Sequence, residues 1–427
     1  MGTGRGAALL VCLGVILVAG CGPTGDEGEI SFPPSDPGTD TCAEAMGPGG
    51  LQVAPVCSEP EPAPPPSAPP SEPPPAAYVF QPGFHLALRW SHAVGGTTTF
   101  RLRVPVHRAG PRVRLAFRSG DGALVLRRVT VARAGPEASL ASEPVPVTFS
   151  GAPGVSVGTR TRVVSDPVSF PVRFGDELAV SFEVQGELAA SAIELLPGSA
   201  MRPGAWATTP GPLGGSPWAV PVGLATVDVE GPPSRAFVAL GDSITEGYIT
   251  GHDDLRDTWS FRASAELGVP IVNAGVSGQG FYDALRLLDG EALVLSGITD
   301  CIVLLGTNDL SGVPDSKLQE DMVQLTERLK PFCRTWVGTL LPKESASNGK
   351  YEQVKASRLV LNDWIRAHRQ PDVIDFEAVT HAPDNVHLFI DGLAVDGIHP
   401  NAAGHRVMAS EVVRVLRSEG VLPQPAP

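Results

Sequence analysis

The residues that could do chemistry in this chain are few and widely separated. Ser243 follows Gly241 and Asp242 at the end of a short apolar run, Phe237 to Leu240. The stretch Asn273-Ala274-Gly275-Val276-Ser277-Gly278 closes a second apolar run, and Gly306-Thr307-Asn308-Asp309 closes a third. Asp396-Gly397-Ile398-His399-Pro400 stands just before the last amphipathic segment. A serine hydroxyl is a poor nucleophile until a base takes its proton, and His399 is suited to that task. Asp396, three residues earlier, can accept the other imidazole N–H, fix the tautomer and stabilise the imidazolium. Pro400 restricts the backbone of His399 and so narrows where the ring can lie. A tetrahedral oxyanion needs donors aimed at it, which the backbone N–H groups of Ser243 and Gly278 and the Asn308 amide could supply. Gly278 has no Cβ, so a substrate can approach its backbone closely.

Each of these residues also has an ordinary explanation. Ser243 could cap a helix, Asn308 could form a turn, Gly278 could end a strand, and Asp396 with His399 could be a cap pair. Their occurrence together, in this order, each after a strand or before the last helix, argues for acyl-transfer chemistry. The remaining histidines, His85, His92, His107, His252, His368, His381, His387 and His405, lie in no matching context and are assigned to surface or packing roles. Asp242, Asp309 and Asp391 are assigned as carboxylates that fix turns or support the site.

The elements that must position these residues can be read from periodicity. From residue 236, apolar runs at 236–240, 270–274, 301–305, 335–340 and 372–376 alternate with helical patterns near 258–267, 316–331, 350–368 and 402–417. This is the pattern of an α/β fold whose parallel sheet is covered on both faces. In such sheets the carboxyl edge of the strands carries the chemistry. Cys301 and Cys333 sit at or just before the starts of two consecutive strands, at the opposite end of the sheet. A disulfide between them is expected, with two buried free thiols as the alternative.

Between about 78 and 230 the period changes to two. Phe100, Leu102, Val104 and Val106 alternate with tolerant neighbours, as do Val113, Leu115 and Phe117, and Leu178, Val180, Phe182 and Val184. Turn signals such as Ser119-Gly120-Asp121-Gly122 and Gly151-Ala152-Pro153-Gly154 punctuate the runs. Short alternating strands separated by such signals predict a β-sandwich or jelly roll. This half has no dense cluster of titratable groups. It either packs against the following domain or binds carbohydrate.

The N-terminus carries Arg5, an apolar run from Ala7 to Ala19, and Gly20-Cys21. The run is short for a membrane span and suits a secretory signal over 1–20. Leu17-Val18-Ala19-Gly20-Cys21 resembles a bacterial lipobox, which implies cleavage before Cys21 and lipidation of it; an ordinary signal peptide cut nearby is the alternative. Residues 21–77 form a tether, with Pro64 to Pro75 extended and polyproline-like. Cys42 and Cys57 lie in it and could close a small loop, or remain free or pair between molecules. Across the 427 residues, 46 acids against 32 bases give a net charge of −14, which disfavours nucleic acid as a partner. The six cysteines show no CxxC pair or Cys/His cluster of metal-ligand spacing, so a structural zinc is not expected, and no cofactor is called for.

Gly241-Asp242-Ser243-Ile244-Thr245, the stretch ending at Gly278, Gly306-Thr307-Asn308-Asp309 and Asp396-Gly397-Ile398-His399 together resemble the four marker blocks of the SGNH, or GDSL, hydrolase family. Their order and spacing agree from 236 to about 420, within a catalytic domain over 231–427, and Asn401 to Ala409 is similar to the family's closing helix. The resemblance implies a flavodoxin-like three-layer α/β/α fold and a Ser-His-Asp esterase that needs no metal. Ser243 would be the nucleophile, Gly278 and Asn308 would complete the oxyanion hole with the Ser243 N–H, and Asp396 and His399 would finish the triad. A weaker resemblance runs upstream through Val113–Gly120, Val147–Gly151, Val164–Val168 and Gly175–Val180, to the β-rich part of certain two-domain bacterial members. Those are often described as carbohydrate or acetyl esterases. The combined expectation is an exported esterase, held in a bacterial cell envelope by lipid on Cys21. It would act on small acyl esters of carbohydrate, with a lipolytic esterase, a thioesterase or an idle glycan-binding protein as the alternatives.

Overall fold

A computed structural model describes residues 77–249, 253–345 and 349–422. The expected signal segment, Cys21, the tether with Cys42 and Cys57, and His252 lie outside the described residues. The described residues form one compact unit.

The first part of that unit is antiparallel. Its strands are β1 (Val79–His85), β2 (Trp90–Val106), β3 (Gly110–Arg133), β4 (Val145–Val147), β5 (Val155–Val157) and β6 (Arg162–Val164). They continue with β7 (Val168–Val172), β8 (Asp176–Ala190), β9 (Ala200–Pro203), β10 (Ser216–Pro217) and β11 (Leu224–Gly231). Their order is β1-β11-β3-β8-β2-β9-β10, with β4 to β7 pairing onto β3. The alternating residues Phe100, Leu102, Val104, Val113, Leu115, Phe117, Leu178, Val180 and Phe182 are all fully buried, so period two in the sequence does report one inward face.

One of the expected turns is not a turn. Ser119 to Gly122 does not end a strand; β3 runs through it, and its pairing with β8 jumps from Ser119 to Leu124. A Cβ on Gly120 would collide with Ser91 Oγ and lie 2.7 Å from the Leu188 carbonyl oxygen. These glycines therefore permit close strand approach at a bulge rather than a reversal of the chain. The bulge lets β3 serve two sheets, pairing β11, β6 and β7 before it and β8, β5 and β4 after it.

The second part is a five-stranded parallel sheet with helices between the strands. It comprises β12 (Phe237–Gly241), α1 (Ser243–Glu246), α2 (Trp259–Leu267), β13 (Ile271–Gly275), α3 (Phe281–Glu291), β14 (Asp300–Leu304) and α4 (Asp315–Leu329). It ends with β15 (Arg334–Gly338), α5 (Tyr351–His368), β16 (Val373–Ile374), α6 (Phe376–Thr380), a small hairpin of β17 (His381–Ala382) and β18 (Asn385–Phe389), and α7 (Ala402–Ser418). The strand order β13-β12-β14-β15-β16 is the flavodoxin-like doubly wound order. The expected strands and four helices lie within a few residues of those observed, except that β16 shrinks to two residues because Asp375 caps α6. The helical patterns read from the sequence omit α3, although Phe281, Ala284 and Leu288 form a buried stripe with Asp283 and Arg286 on the opposite face. At the amino end of the sheet a disulfide joins Cys301 to Cys333.

The two parts share polar and apolar contacts. His85 Nε2 donates to the Glu291 carbonyl oxygen at 2.8 Å while Nδ1 meets Thr226 Oγ1 at 3.0 Å. His107 Nδ1 meets Ser264 Oγ at 2.7 Å, and its ring lies 3.8 Å from that of Phe261. Burial pushes His85 down to about 3 and His107 down to about 4. Both folded values lie below the ordinary value near 6.5, so the unfolded chain binds protons that the folded chain refuses. Their contribution to stability is complete above about pH 6.5 and declines as the pH falls toward about 4. A His85→Gln/His107→Gln variant should therefore lose stability less steeply than the parent between about pH 6.5 and about pH 4. Thermal melts of both proteins across that range measure the slopes, and parallel slopes would contradict the burial argument.

Candidate active site

The site begins where β12 stops. Gly241 pairs with Gly275 of β13 on one side and Leu304 of β14 on the other, so the three strands end level. The loops carrying Ser243, Gly278 and Asn308 therefore leave the same edge, at the point where the strand order reverses. A Cβ on Gly241 would collide with the Leu304 carbonyl oxygen and the Thr245 side chain, and one on Gly275 with the Glu246 backbone nitrogen. Only glycine allows the chain to turn this tightly between two buried strands.

Asp242, rather than Ser243, caps α1: its carboxylate accepts from the Ile244 N–H at 3.0 Å. Ser243 is the first helical residue, which corrects the possibility that its hydroxyl serves as the cap. With that task taken by Asp242, Ser243 Oγ faces His399 Nε2 at 2.9 Å. His399 Nδ1 in turn lies 2.7 Å from Asp396 Oδ2, while Asp396 Oδ1 accepts from the N–H groups of Ile398 and His399 at 2.9 and 2.7 Å. Three residues separated by up to 156 positions thus form one hydrogen-bonded line. Burial would raise the Asp396 carboxyl, but the bonds from His399 and Ile398 outweigh it and hold the group below the usual carboxylate range. Ser243 and His399 are half-buried and Asp396 is exposed, and the ring of Tyr248, itself exposed, lies tilted 4.5 Å from that of His399.

Gly278 has φ +77, a left-handed conformation that glycine tolerates, and no atom occupies the space where its side chain would stand. Among the described residues, neither the Ser243 nor the Gly278 N–H meets an acceptor in the turns and loops. Asn308 Nδ2 donates to the Gln279 carbonyl oxygen at 2.9 Å, which fixes its amide to the Gly278 loop and leaves its second N–H for another acceptor.

Residues that sequence reasoning passed over hold this loop. Buried Glu246 accepts from Ser277 N and Oγ, both at 2.6 Å, and from Ser191 Oγ of the antiparallel part at 2.5 Å. The carboxylate one turn after Ser243, in Ser243-Ile244-Thr245-Glu246, is the signal that could have revealed it. Gln279 Nε2 donates to the Gly241 carbonyl oxygen at 2.9 Å, and Asn273 Nδ2 to that of Thr245 at 2.6 Å. Asp309, expected from the sequence to support the site, accepts from the Phe281 N–H at 3.2 Å, and Lys343, which the sequence did not point to, donates through Nζ to the Thr307 carbonyl oxygen at 2.9 Å. Burial pushes Asp242 up to about 7 and Asp309 up to about 6, against the opposing charge of Lys343. These two folded values lie above the ordinary carboxylate value, so their contribution to stability is complete below about pH 4 and falls as the pH rises toward those values.

Residues 239–407 match the GDSL-like lipase/acylhydrolase family. The chain carries a GDSL-family hydrolase domain. The GDSL domain's match spans the Ser243, Gly278, Asn308 and His399 stretches, and its sheet accounts for the fold that positions them. A comparison with curated proteins finds no significant match. Among solved structures, the chain is similar to a member of the lipolytic G-D-S-L family from Veillonella parvula, at 22% identity over 43% of this chain and 98% of that one, with a TM-score of 0.35. It is also similar to a carbohydrate acetylesterase from Sinorhizobium meliloti (17% identity, 44% and 100% coverage, TM-score 0.37). An acetylxylan esterase from Geobacillus stearothermophilus matches at 17% identity, 43% and 94% coverage, and TM-score 0.35.

Proposed function

We propose that the protein is a serine esterase that removes small acyl groups, chiefly acetyl, from carbohydrate through Ser243, His399 and Asp396. The observation that carries the catalytic part is the unbroken line from Ser243 Oγ to His399 to Asp396, at 2.9 and 2.7 Å. His399 Nε2 takes the hydroxyl proton as Ser243 Oγ bonds to the acyl carbon. The carbonyl oxygen becomes an oxyanion held by the Ser243 and Gly278 N–H groups and the Asn308 amide. As the acyl–oxygen bond breaks, His399 returns the proton to the leaving alcohol. Water then repeats the sequence on the acyl-enzyme, releasing the acid and restoring Ser243.

The exposure of Tyr248 and Asp396 beside the half-buried Ser243 and His399 supports an alcohol moiety too large to be enclosed, such as a glycan. The upstream resemblance to carbohydrate and acetyl esterases and the proline-rich tether after Cys21 support the same substrate and an exported, lipid-anchored protein. Hydrolysis of acetylated xylan compared with long-chain aryl esters and acyl-CoA tests the substrate class. A clear preference for long chains would overturn the carbohydrate reading in favour of a lipolytic esterase or thioesterase. Within the oxyanion hole, Asn308→Ala should lower kcat about 10²- to 10³-fold with a smaller effect on KM, since its donor acts on charge that develops in the transition state. Steady-state kinetics on p-nitrophenyl acetate measures this, and an unchanged kcat would remove Asn308 from the hole.

A further inference from the structure

A cleft of about 570 Å³ opens where the start of β2 meets α3, the helix that follows the Gly278 loop. Four arginines line it, Arg89, Arg118, Arg160 and Arg286, against two carboxylates, Asp283 and Glu291. In a chain of net charge −14 this is a local reversal of sign. Arg286 pairs with Asp283 at 3.1 Å and Arg160 with Asp121 just outside the cleft at 2.7 Å, which leaves Arg118 as the least satisfied of the four. Arg89 is paired, donating to Glu291 through Nε at 3.0 Å and Nη2 at 2.6 Å. Arg118 stands 4.0 Å from Glu291, and among the described residues its one hydrogen bond is to the Leu88 carbonyl oxygen at 3.2 Å. A guanidinium has five N–H donors, so most of those on Arg118 remain for a ligand. Burial, and after it the neighbouring charges of Arg160 and Arg89, lower the Arg118 pKa from its ordinary value despite Glu291. An anion entering the cleft would relieve that strain on the charged form.

The cleft also has an aromatic wall, Trp90, which is 52% exposed. A flat indole beside a forked cation suits a ring with an apolar face and a carboxylate, since arginine grips carboxylates through paired donors. Arg89 carries the connection inward. It also donates to the Gln279 side-chain oxygen, and Gln279 donates to the Gly241 carbonyl oxygen, two residues before Ser243. We propose that this cleft is a subsite for the carboxylate of an acidic sugar, a uronate, in the glycan whose acyl group is presented to Ser243. The assignment rests on the esterase reading given above.

The test is calorimetric titration of full-length Ser243→Ala, which cannot turn over substrate, with trigalacturonate, with a neutral trisaccharide and with inorganic phosphate. The expected result is saturable binding of the uronate that weakens with added salt, with the neutral sugar at least about tenfold weaker. Arg160→Ala and Arg286→Ala, placed separately in that background, should each weaken uronate binding by about tenfold. Their side chains are 40% and 56% exposed, and circular dichroism confirms that each variant folds. Uronate that fails to bind, a neutral sugar that binds equally well, phosphate that competes as an equal, or binding indifferent to both substitutions would each overturn the subsite. Hydrolysis of p-nitrophenyl acetate by the parent protein separates the two claims. Turnover without uronate binding sinks the subsite alone, whereas uronate binding without turnover sinks the esterase reading and leaves an acidic-sugar site.

Discussion

Ser243→Ala should reduce kcat/KM for p-nitrophenyl acetate by about 10³- to 10⁶-fold, with the folded state intact. The size of the loss follows from what the hydroxyl does. Without Oγ no acyl-enzyme can form, and His399 has nothing to deprotonate except water. The residual rate would come from binding and from the oxyanion donors, which remain when the hydroxyl is gone. Because Ser243 and His399 act as one unit, Ser243→Ala/His399→Ala should be little worse than either single change. Additive losses would mean that the two side chains contribute independently, contrary to their 2.9 Å contact. Folding should tolerate the change because Asp242, not Ser243, caps α1. Hydrolysis at the parent rate would leave a glycan-binding protein with an idle esterase fold as the better account.

Asp396→Asn should cost about 10⁴-fold in kcat while leaving the loop in place. Asp396 divides its two oxygens between two tasks. Oδ1 accepts from the Ile398 and His399 N–H groups, which an asparagine oxygen could still do. Oδ2 accepts from the His399 ring at 2.7 Å, and there an asparagine would present an N–H instead. Nδ1 would have to become the acceptor, the ring proton would move to Nε2, and Nε2 could no longer take the Ser243 proton. An NMR spectrum showing the ring proton on Nδ1 in the parent and on Nε2 in the variant would display the cause directly. Retained activity in Asp396→Asn would show that the carboxylate does not set the tautomer.

Much of this arrangement is legible in the sequence because the sheet enforces it. Buried parallel strands must read as apolar runs, and each run here ends in glycine or a small polar residue at the level where the chemistry is placed. The residues named from spacing, Ser243, His399 and Asp396, meet in the structure, and Asn308 is bonded to the loop of Gly278. What was not legible depends on contacts between distant segments. Glu246 gains its role only because Ser277 and Ser191 arrive from the loop after β13 and from the antiparallel part. The bulge at Gly120 is set by its close approach to Ser91 and Leu188, which no local pattern records. The arginines of the acidic-sugar cleft come from the β1–β2 loop, β3, the β5–β6 loop and α3, and only folding makes them one site.

The central claim is that His399 makes Ser243 nucleophilic, and covalent labelling tests it most directly. A fluorophosphonate reacts with an activated serine and releases fluoride, leaving a stable adduct on the attacking oxygen. Intact-mass and peptide mass spectrometry should find one equivalent of adduct on the peptide containing Ser243, with labelling abolished in Ser243→Ala and slowed by orders of magnitude in His399→Ala. A folded parent protein that takes up no label, or takes it up on another residue, would contradict the account.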